Sequence, residues 1–271
     1  MIRALRQLPI FFSRDLAIAK TYRTAFLFEA IEALFGAATL YYVARFVDSP
    51  ELQRSLPPGT SYFAFSLIGF AFLDYLGTAL DAFDRSLEEA RNSGTLEHIL
   101  VTQTSLPMFL AGSAAYPFLT SAVRIAVYVF WGALLFGFPF RSANWPAVFA
   151  VLAASLLAFS GLGILSAAYV LIFKRGNPGK WLLLGVSSIV GGTLFPVSVL
   201  PGWLQWLARI NPITYALNAM RAALLDGADL FSLGHVLAVL FLFAILLLPL
   251  SMLAFAWALR RTKSTGTLAH S

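Results

Sequence analysis

Cysteine is absent from this chain of 271 residues, which excludes disulfides and Cys-based zinc sites. Histidine is scarce: His98, His235 and His270 stand far apart and form no ligand pattern, so no metal site is expected. Charge is thin as well. Asp, Glu, Lys and Arg make up 12% of residues, against about 25% in a soluble domain. A water-soluble chain so poor in charge would lack polar surface to face its solvent. Motifs for phosphate and hydrolytic chemistry are missing too. The string closest to a phosphate-binding loop, Lys174-Arg-Gly-Asn-Pro-Gly-Lys180, ends in Trp181 and lacks the first Gly and the final Ser/Thr. There is no HExxH, no GxSxG and no visible nucleophile–base pair. No catalytic residue and no bound cofactor are therefore expected on this chain.

What the sequence has is apolar length. Hydrophobic residues reach 59%, and lipid as the solvent removes the conflict that water would create. A helix crosses the hydrocarbon core with about 20 apolar residues. The expected fold is all-α, a polytopic membrane protein with six transmembrane helices. Their approximate limits are Ala25–Val47, Tyr62–Phe83, Phe109–Phe136, Ala147–Phe173, Trp181–Leu200 and Val236–Leu259. Residues 1–24 mix Arg3, Arg6, Arg14, Lys20 and Arg23 with Leu8, Phe11, Phe12 and Leu16, which suits an interfacial helix. A frayed basic tail is the plainer alternative. The apolar run Ile10-Phe11-Phe12 stops at Ser13-Arg14-Asp15, too early for a cleavable signal peptide. Residues 25–260 form the expected six-span transmembrane domain and 261–271 a cytoplasmic tail.

Basic residues set the orientation. With six spans, both termini share a side with the segments holding Arg85, Arg91, Lys174, Arg175, Lys180, Arg260, Arg261 and Lys263. The opposite side has Arg45, Arg54, Arg141, Arg209 and Arg221, a balance of thirteen against five. The positive-inside rule puts both termini in the cytoplasm. It also explains the net charge of +6 without nucleic acid as a partner.

Two connections are unusual. Residues 84–106 form a polar cytoplasmic loop, in which Ser86 and Glu89 match a capping box and predict a helix start. Asn92-Ser93-Gly94 breaks that helix, and Thr95 can cap a second one carrying Leu96, Ile99 and Leu100 on one side. Such a helix suits docking into a groove of a soluble partner; a solvated loop fits the pattern equally well. Residues 201–235 are too apolar for an ordinary external loop and predict short amphipathic helices dipping into the outer leaflet.

Carboxylates within spans are costly and face protein interior or water. Glu29 and Glu32 share a helix face, Asp74 and Asp81 can share another, and Arg124 is a possible partner for one of them. They could line a substrate path or relay protons. They could equally be buried ion pairs or snorkel near an interface, which the position of Glu29 and Asp81 near span ends favours. Gly161, Gly163, Gly185, Gly191 and Gly192 permit close helix packing, and Pro117, Pro196 and Pro249 can kink their helices.

Two segments carry a resemblance. Glu88-Glu89-Ala-Arg91-Asn-Ser-Gly94-Thr95-Leu96-Glu97-His-Ile99-Leu100-Val-Thr-Gln-Thr-Ser105 resembles the "R-x-x-G-T-L-E-x-L-L-x-T-P-x-S" stretch between spans two and three of ABC type-2 transporter permease subunits. Gln103 stands where Pro is common. Gly192-Thr-Leu-Phe195-Pro196-Val-Ser-Val-Leu-Pro201-Gly-Trp203-Leu-Gln-Trp206, with Asn211-Pro212-Ile-Thr214-Tyr215 and Arg221, is similar to that family's fifth span and re-entrant external helices.

The resemblance implies the membrane subunit of an ATP-driven exporter in a bacterial or archaeal plasma membrane. It implies a second permease subunit, as homodimer or heterodimer, and two copies of a separate nucleotide-binding ATPase that holds ATP and Mg. It makes residues 84–106 a coupling helix against that ATPase, through Glu88, Glu89, Arg91, Gly94, Thr95, Leu96, Glu97, Ile99 and Leu100. Spans one, two and five would line a path for amphipathic cargo, whether drug, lipid or lipid-linked glycan, past Glu29, Glu32, Asp74 and Phe195. Two rivals use the same carboxylates: an ion-coupled secondary transporter and a membrane-embedded enzyme.

Overall fold

The computed structural model describes residues 23–47, 50–92, 106–140, 143–173 and 177–264. Every regular element among them is helical: α1 (Arg23–Val47), α2 (Pro50–Ser55), α3 (Tyr62–Asn92), α4 (Leu106–Phe136), α5 (Trp145–Phe173), α6 (Pro178–Val190), α7 (Gly202–Arg209), α8 (Pro212–Leu225) and α9 (Gly234–Ser264), with a single 3-10 turn at Val197–Val199. Five of these helices, α1, α3, α4, α5 and α9, are long and apolar enough to cross a membrane.

The expected fifth span differs. Its helix stops at Val190, after 13 residues, or about 20 Å of rise, short of a hydrocarbon core of about 30 Å. The stop has a local cause. Gly191 and Gly192 follow, and Gly192 takes φ +77, a left-handed backbone that glycine adopts without strain. Pro196 therefore does not kink a helix as expected; it caps the 3-10 turn beyond it. Pro117 and Pro249 do lie inside helices.

The second span also differs. Its helix runs without a break to Asn92, so Ser86 sits in mid-helix and no helix starts there. An N-cap needs non-helical backbone, and the stretch Arg85-Ser-Leu-Glu-Glu-Ala-Arg91 holds too many good helix formers to supply one. The 31 residues of α3 rise about 46 Å, so its last turns stand outside the hydrocarbon. The interfacial segment expected before residue 23, the helix expected at 95–100 and the tail beyond 264 lie outside the described residues.

Helix α3 is the core of the bundle. Its apolar window is 72% buried, against 11% for α1 and 17% for α9. Tyr75 is ringed by Phe72, Phe118 and Phe159, and its hydroxyl donates to the Leu152 carbonyl at 3.3 Å. Gly161 lies against Leu247 of α9, and Gly163 against Ala79 and Phe83 of α3, so two of the expected glycines do serve close packing. Helix α8 is buried along most of its length, although it is no spanning helix.

Connections gather at the two ends of the bundle. At one end the 191–233 segment meets the starts of α3 and α5: Asn144 N–H donates to the Ala223 carbonyl at 2.9 Å. At the other end α3 runs out toward residue 92, and Thr262 of α9 donates to the Leu171 carbonyl of α5 at 3.4 Å.

Candidate functional site

Three polar sites are built into this apolar bundle. The first lies part-way along the spans. Arg124 of α4 donates from one guanidinium nitrogen to both carboxylate oxygens of Asp74 on α3, each at 3.1 Å. Its other terminal nitrogen lies 3.7 Å from Glu29 of α1. Glu32, one turn along α1, is exposed and has no ion-pair partner among the described residues. A charge alone in hydrocarbon is expensive, and a shared guanidinium offsets that cost for Asp74 first. Three carboxylates against one guanidinium leave the cluster negative, so it can hold a cation or a proton. Trp131 of α4 ties that helix to α1 by donating to the Ala30 carbonyl at 3.0 Å. Asp81 does not join this group.

Asp81 belongs to the second site, at the end where α3 leaves the bundle. Lys180, in the first turn of α6, bonds to Asp81, and Arg85 lies 3.6 Å from it. One turn on, Asp84 is buried and accepts from Ser166 of α5 and from the Asn177 side chain, each at 3.0 Å. Asn177 also donates to Ser166 at 2.5 Å, and its side-chain oxygen caps α6 by accepting from Lys180 N–H at 3.0 Å. Pro178 follows at the first helical position, where a missing N–H costs nothing. Three helices are thus clasped through one carboxylate. Sequence reasoning missed this site; the available signals were the cap-like Asn177-Pro178 and the i, i+3, i+4 spacing of Asp81, Asp84 and Arg85. Glu88 and Glu89 are exposed on the following turn of α3, and Arg91 is in its last turn. Gly94, Thr95, Leu96, Glu97, Ile99 and Leu100 lie outside the described residues.

The third site is at the opposite end. Pro201 starts α7, which turns Trp203 and Trp206 outward. Asn211 caps α8 by accepting from Ile213 N–H at 3.2 Å, and its amide donates to Ser187 of α6 at 3.0 Å. Pro212 opens the helix, and Tyr215 donates to the Arg209 carbonyl at 2.9 Å. These bonds fold the chain back so that α8 enters the bundle. Arg221 of α8 is buried, with one nitrogen donating to the Phe65 and Thr193 carbonyls at 2.9 and 3.1 Å. Its guanidinium carbon stands 3.4 Å from the centre of the Phe65 ring. The approach of residue 193 depends on Gly69, where any Cβ would run into the Thr193 backbone. Phe195 is partly exposed beside this turn. Two cavities lie nearby. One of about 370 Å³ is lined by Arg221, Phe65, Asn218 and Ser198. The other, of about 400 Å³ between α4 and α5, has apolar walls that include Val123, Phe130, Phe149 and Met220.

Comparison with known proteins places this arrangement. Residues 6–225 match the family described as ABC-2 type transporter. The chain is 25% identical over 176 residues to the inner membrane transport permease YadH of Escherichia coli K12, covering 63% of this chain and 66% of YadH. It is 25% identical over 186 residues to nodulation protein J of Rhizobium meliloti, covering 65% of this chain and 66% of that protein. It is 24% identical over 179 residues to the linearmycin resistance permease protein LnrN of Bacillus subtilis, covering 65% of this chain and 45% of LnrN. The matched stretch thus spans just under two thirds of the first two relatives' length. With a family match across most of its residues and five helices able to cross a bilayer, the chain is a multi-pass membrane protein of the ABC-2 type transporter family.

Proposed function

We propose that this chain is the membrane-spanning permease subunit of an ATP-driven exporter, moving an amphipathic molecule outward with ATP hydrolysed on a separate subunit. The observation that carries the reading is the joining of α3 to α6 and α5 by Asp81 and Asp84 at the end where α3 leads into residues 93–105. A push on that segment would be delivered along a rigid helix into the bundle rather than lost in a loop.

In this reading six segments cross the membrane, α6 together with the turn after it serving as the fifth, and α7 and α8 form the re-entrant external pair. Both termini are cytoplasmic. Two ATPase copies, holding ATP and Mg, dock on the coupling segments of two permease subunits. Leu96, Ile99 and Leu100 would supply the apolar side chains of that contact, and Glu88, Glu89, Arg91 and Glu97 would orient it by charge. The names of the relatives, a transport permease and a resistance permease, support a transport role. The apolar cavity between α4 and α5 suits an acyl chain, and Glu29, Glu32, Asp74 and Phe195 would line the path.

The test is copurification of the ATPase with Leu96→Asp, with membrane insertion checked in parallel. Loss of a buried contact at such an interface costs about 1–2 kcal/mol, up to some tenfold or more in affinity. We expect an inserted permease that no longer retains the ATPase, and a smaller effect of Glu97→Lys. Retention of both the ATPase and ATP-dependent export would end the docking proposal.

A second reading rests on Glu32, which has no ion-pair partner among the described residues, and on the excess of carboxylates in its cluster: transport coupled to an ion gradient. Uptake into proteoliposomes driven by a proton gradient without ATP would favour it.

A further inference from the structure

Arg221 is a buried cation without a matching anion among the described residues. It is 6% exposed and lies on α8, a helix buried among α3, α5 and α9. A guanidinium stays charged at any physiological pH. Buried guanidinium groups are normally matched by a carboxylate, yet no carboxylate lies within ion-pair distance of this one among the described residues. Two backbone carbonyls and the face of Phe65 share its positive charge without cancelling it. Its Nε has no hydrogen-bond partner among the described residues.

This cation lines a cavity of about 370 Å³. The cavity lies at the end where α1 joins α3 and α6 joins α8, between the 55–57 and 196–198 segments. Asn218, one turn before Arg221, and Ser198 across the opening bring an amide and a hydroxyl to the same space. Neither side chain makes a hydrogen bond to another described residue. With one terminal nitrogen held by two carbonyls, the guanidinium keeps its other terminal nitrogen and its charge for a ligand, and charged N–H beside amide and hydroxyl donors is a donor set that tetrahedral oxyanions take. The volume exceeds that of a phosphate group and leaves room for what is attached to it.

We propose that Arg221, with Asn218 and Ser198, forms a binding site for a phosphate-type oxyanion, carried by a lipid head group or present as the free ion. Its use as a station for anionic cargo rests on the permease reading; the binding itself does not.

The experiment uses the full chain in a neutral maltoside detergent and follows its thermal unfolding midpoint. Inorganic phosphate is titrated against chloride at matched ionic strength. In separate arms, phosphatidylglycerol or diacylglycerol, which lacks the phosphate, is mixed into the micelles. A rise with phosphate and with phosphatidylglycerol, but not with chloride or diacylglycerol, is expected. A rise with phosphatidylglycerol alone would equally support the site and name the lipid head group as its source. Arg221→Lys keeps the charge but cannot hold the two carbonyls and face the cavity at once, so about tenfold weaker binding is expected. Arg221→Gln should abolish the response. Because Arg221 also holds two carbonyls, Ser198→Phe provides the independent arm. It fills the opening from an exposed position and should erase the response while leaving the unliganded midpoint in place. No response in the parent chain, or an unchanged response in Ser198→Phe, would overturn the proposal. Phosphate binding in a chain that transports nothing with any ATPase would leave this site standing and remove the permease reading instead. ATP-driven export without any phosphate response would do the reverse.

Discussion

Lys180 and Asp81, 99 residues apart in sequence, are joined by an ammonium–carboxylate bond that ties the first turn of α6 to the outgoing end of α3. Both side chains are largely shielded from solvent. Removing Lys180 leaves Asp81 with Arg85 alone at 3.6 Å, and removing Asp81 takes the bonded carboxylate from Lys180. Lys180→Met is expected to lower stability by about 1–2 kcal/mol, and Asp81→Asn by a similar amount. The double variant should cost less than the two losses added together. Thermal unfolding of the four proteins in one detergent measures the coupling. Strict additivity would show that the bond contributes nothing.

Arg124 holds Asp74 with two bonds and reaches Glu29. Arg124→Gln leaves three carboxylates facing one another without a cation. We expect reduced yield of inserted protein, recovered in part by Asp74→Asn in the same chain, since that substitution removes the carboxylate most in need of a partner. Yield in membranes, measured by fluorescence of a carboxy-terminal fusion, tests this. No recovery in the double variant would mean that Asp74 is stabilised by something other than Arg124.

Two helical glycines make opposite predictions. A Cβ on Gly163 would run into the Ala79 carbonyl and the Phe83 ring, whereas a Cβ on Gly185 meets nothing within 4 Å. Gly163→Ala should destabilise by about 1–3 kcal/mol through forced separation of α3 and α5. Gly185→Ala should be neutral, or stabilising by up to about 1 kcal/mol through helix propensity. Unfolding midpoints decide it, and equal effects at the two positions would remove the close approach as the cause.

Trp203 and Trp206 are exposed on α7, the kind of position where Trp anchors a segment at a membrane interface. Under the proposed permease function, their double alanine variant is expected to impair transport more than it impairs assembly. Transport in proteoliposomes, compared with the amount of inserted protein, checks this. Normal export would remove the anchoring role.

Much of the fold was legible because lipid imposes a simple rule. Each crossing segment must satisfy its own backbone and present apolar side chains, so runs such as Trp145–Phe173 and Gly234–Thr262 declare themselves. The run over 181–200 obeyed the same composition rule, yet its helix ends at Val190. Hydropathy cannot register the turn at Gly191-Gly192, where backbone freedom rather than polarity decides. The polar stretch after Phe83 misled in the opposite direction. Charge marks exit from lipid, and a helix does not have to end where the lipid does.

Pairing was beyond the sequence. Some of the structure is local chemistry: Asn211 accepts from Ile213 N–H and Pro212 opens α8 with no help from distant residues. Nothing local says that Asp84 meets Ser166 and Asn177, that Lys180 meets Asp81, or that Arg221 lies over Phe65 with no carboxylate near it among the described residues. Composition and periodicity set which segments enter the membrane, because transfer into lipid depends on each segment's own surface. Which buried charges are matched, and which is left to seek a ligand, was decided by helix packing, because a partner 99 or 156 residues away is brought near only when the bundle closes.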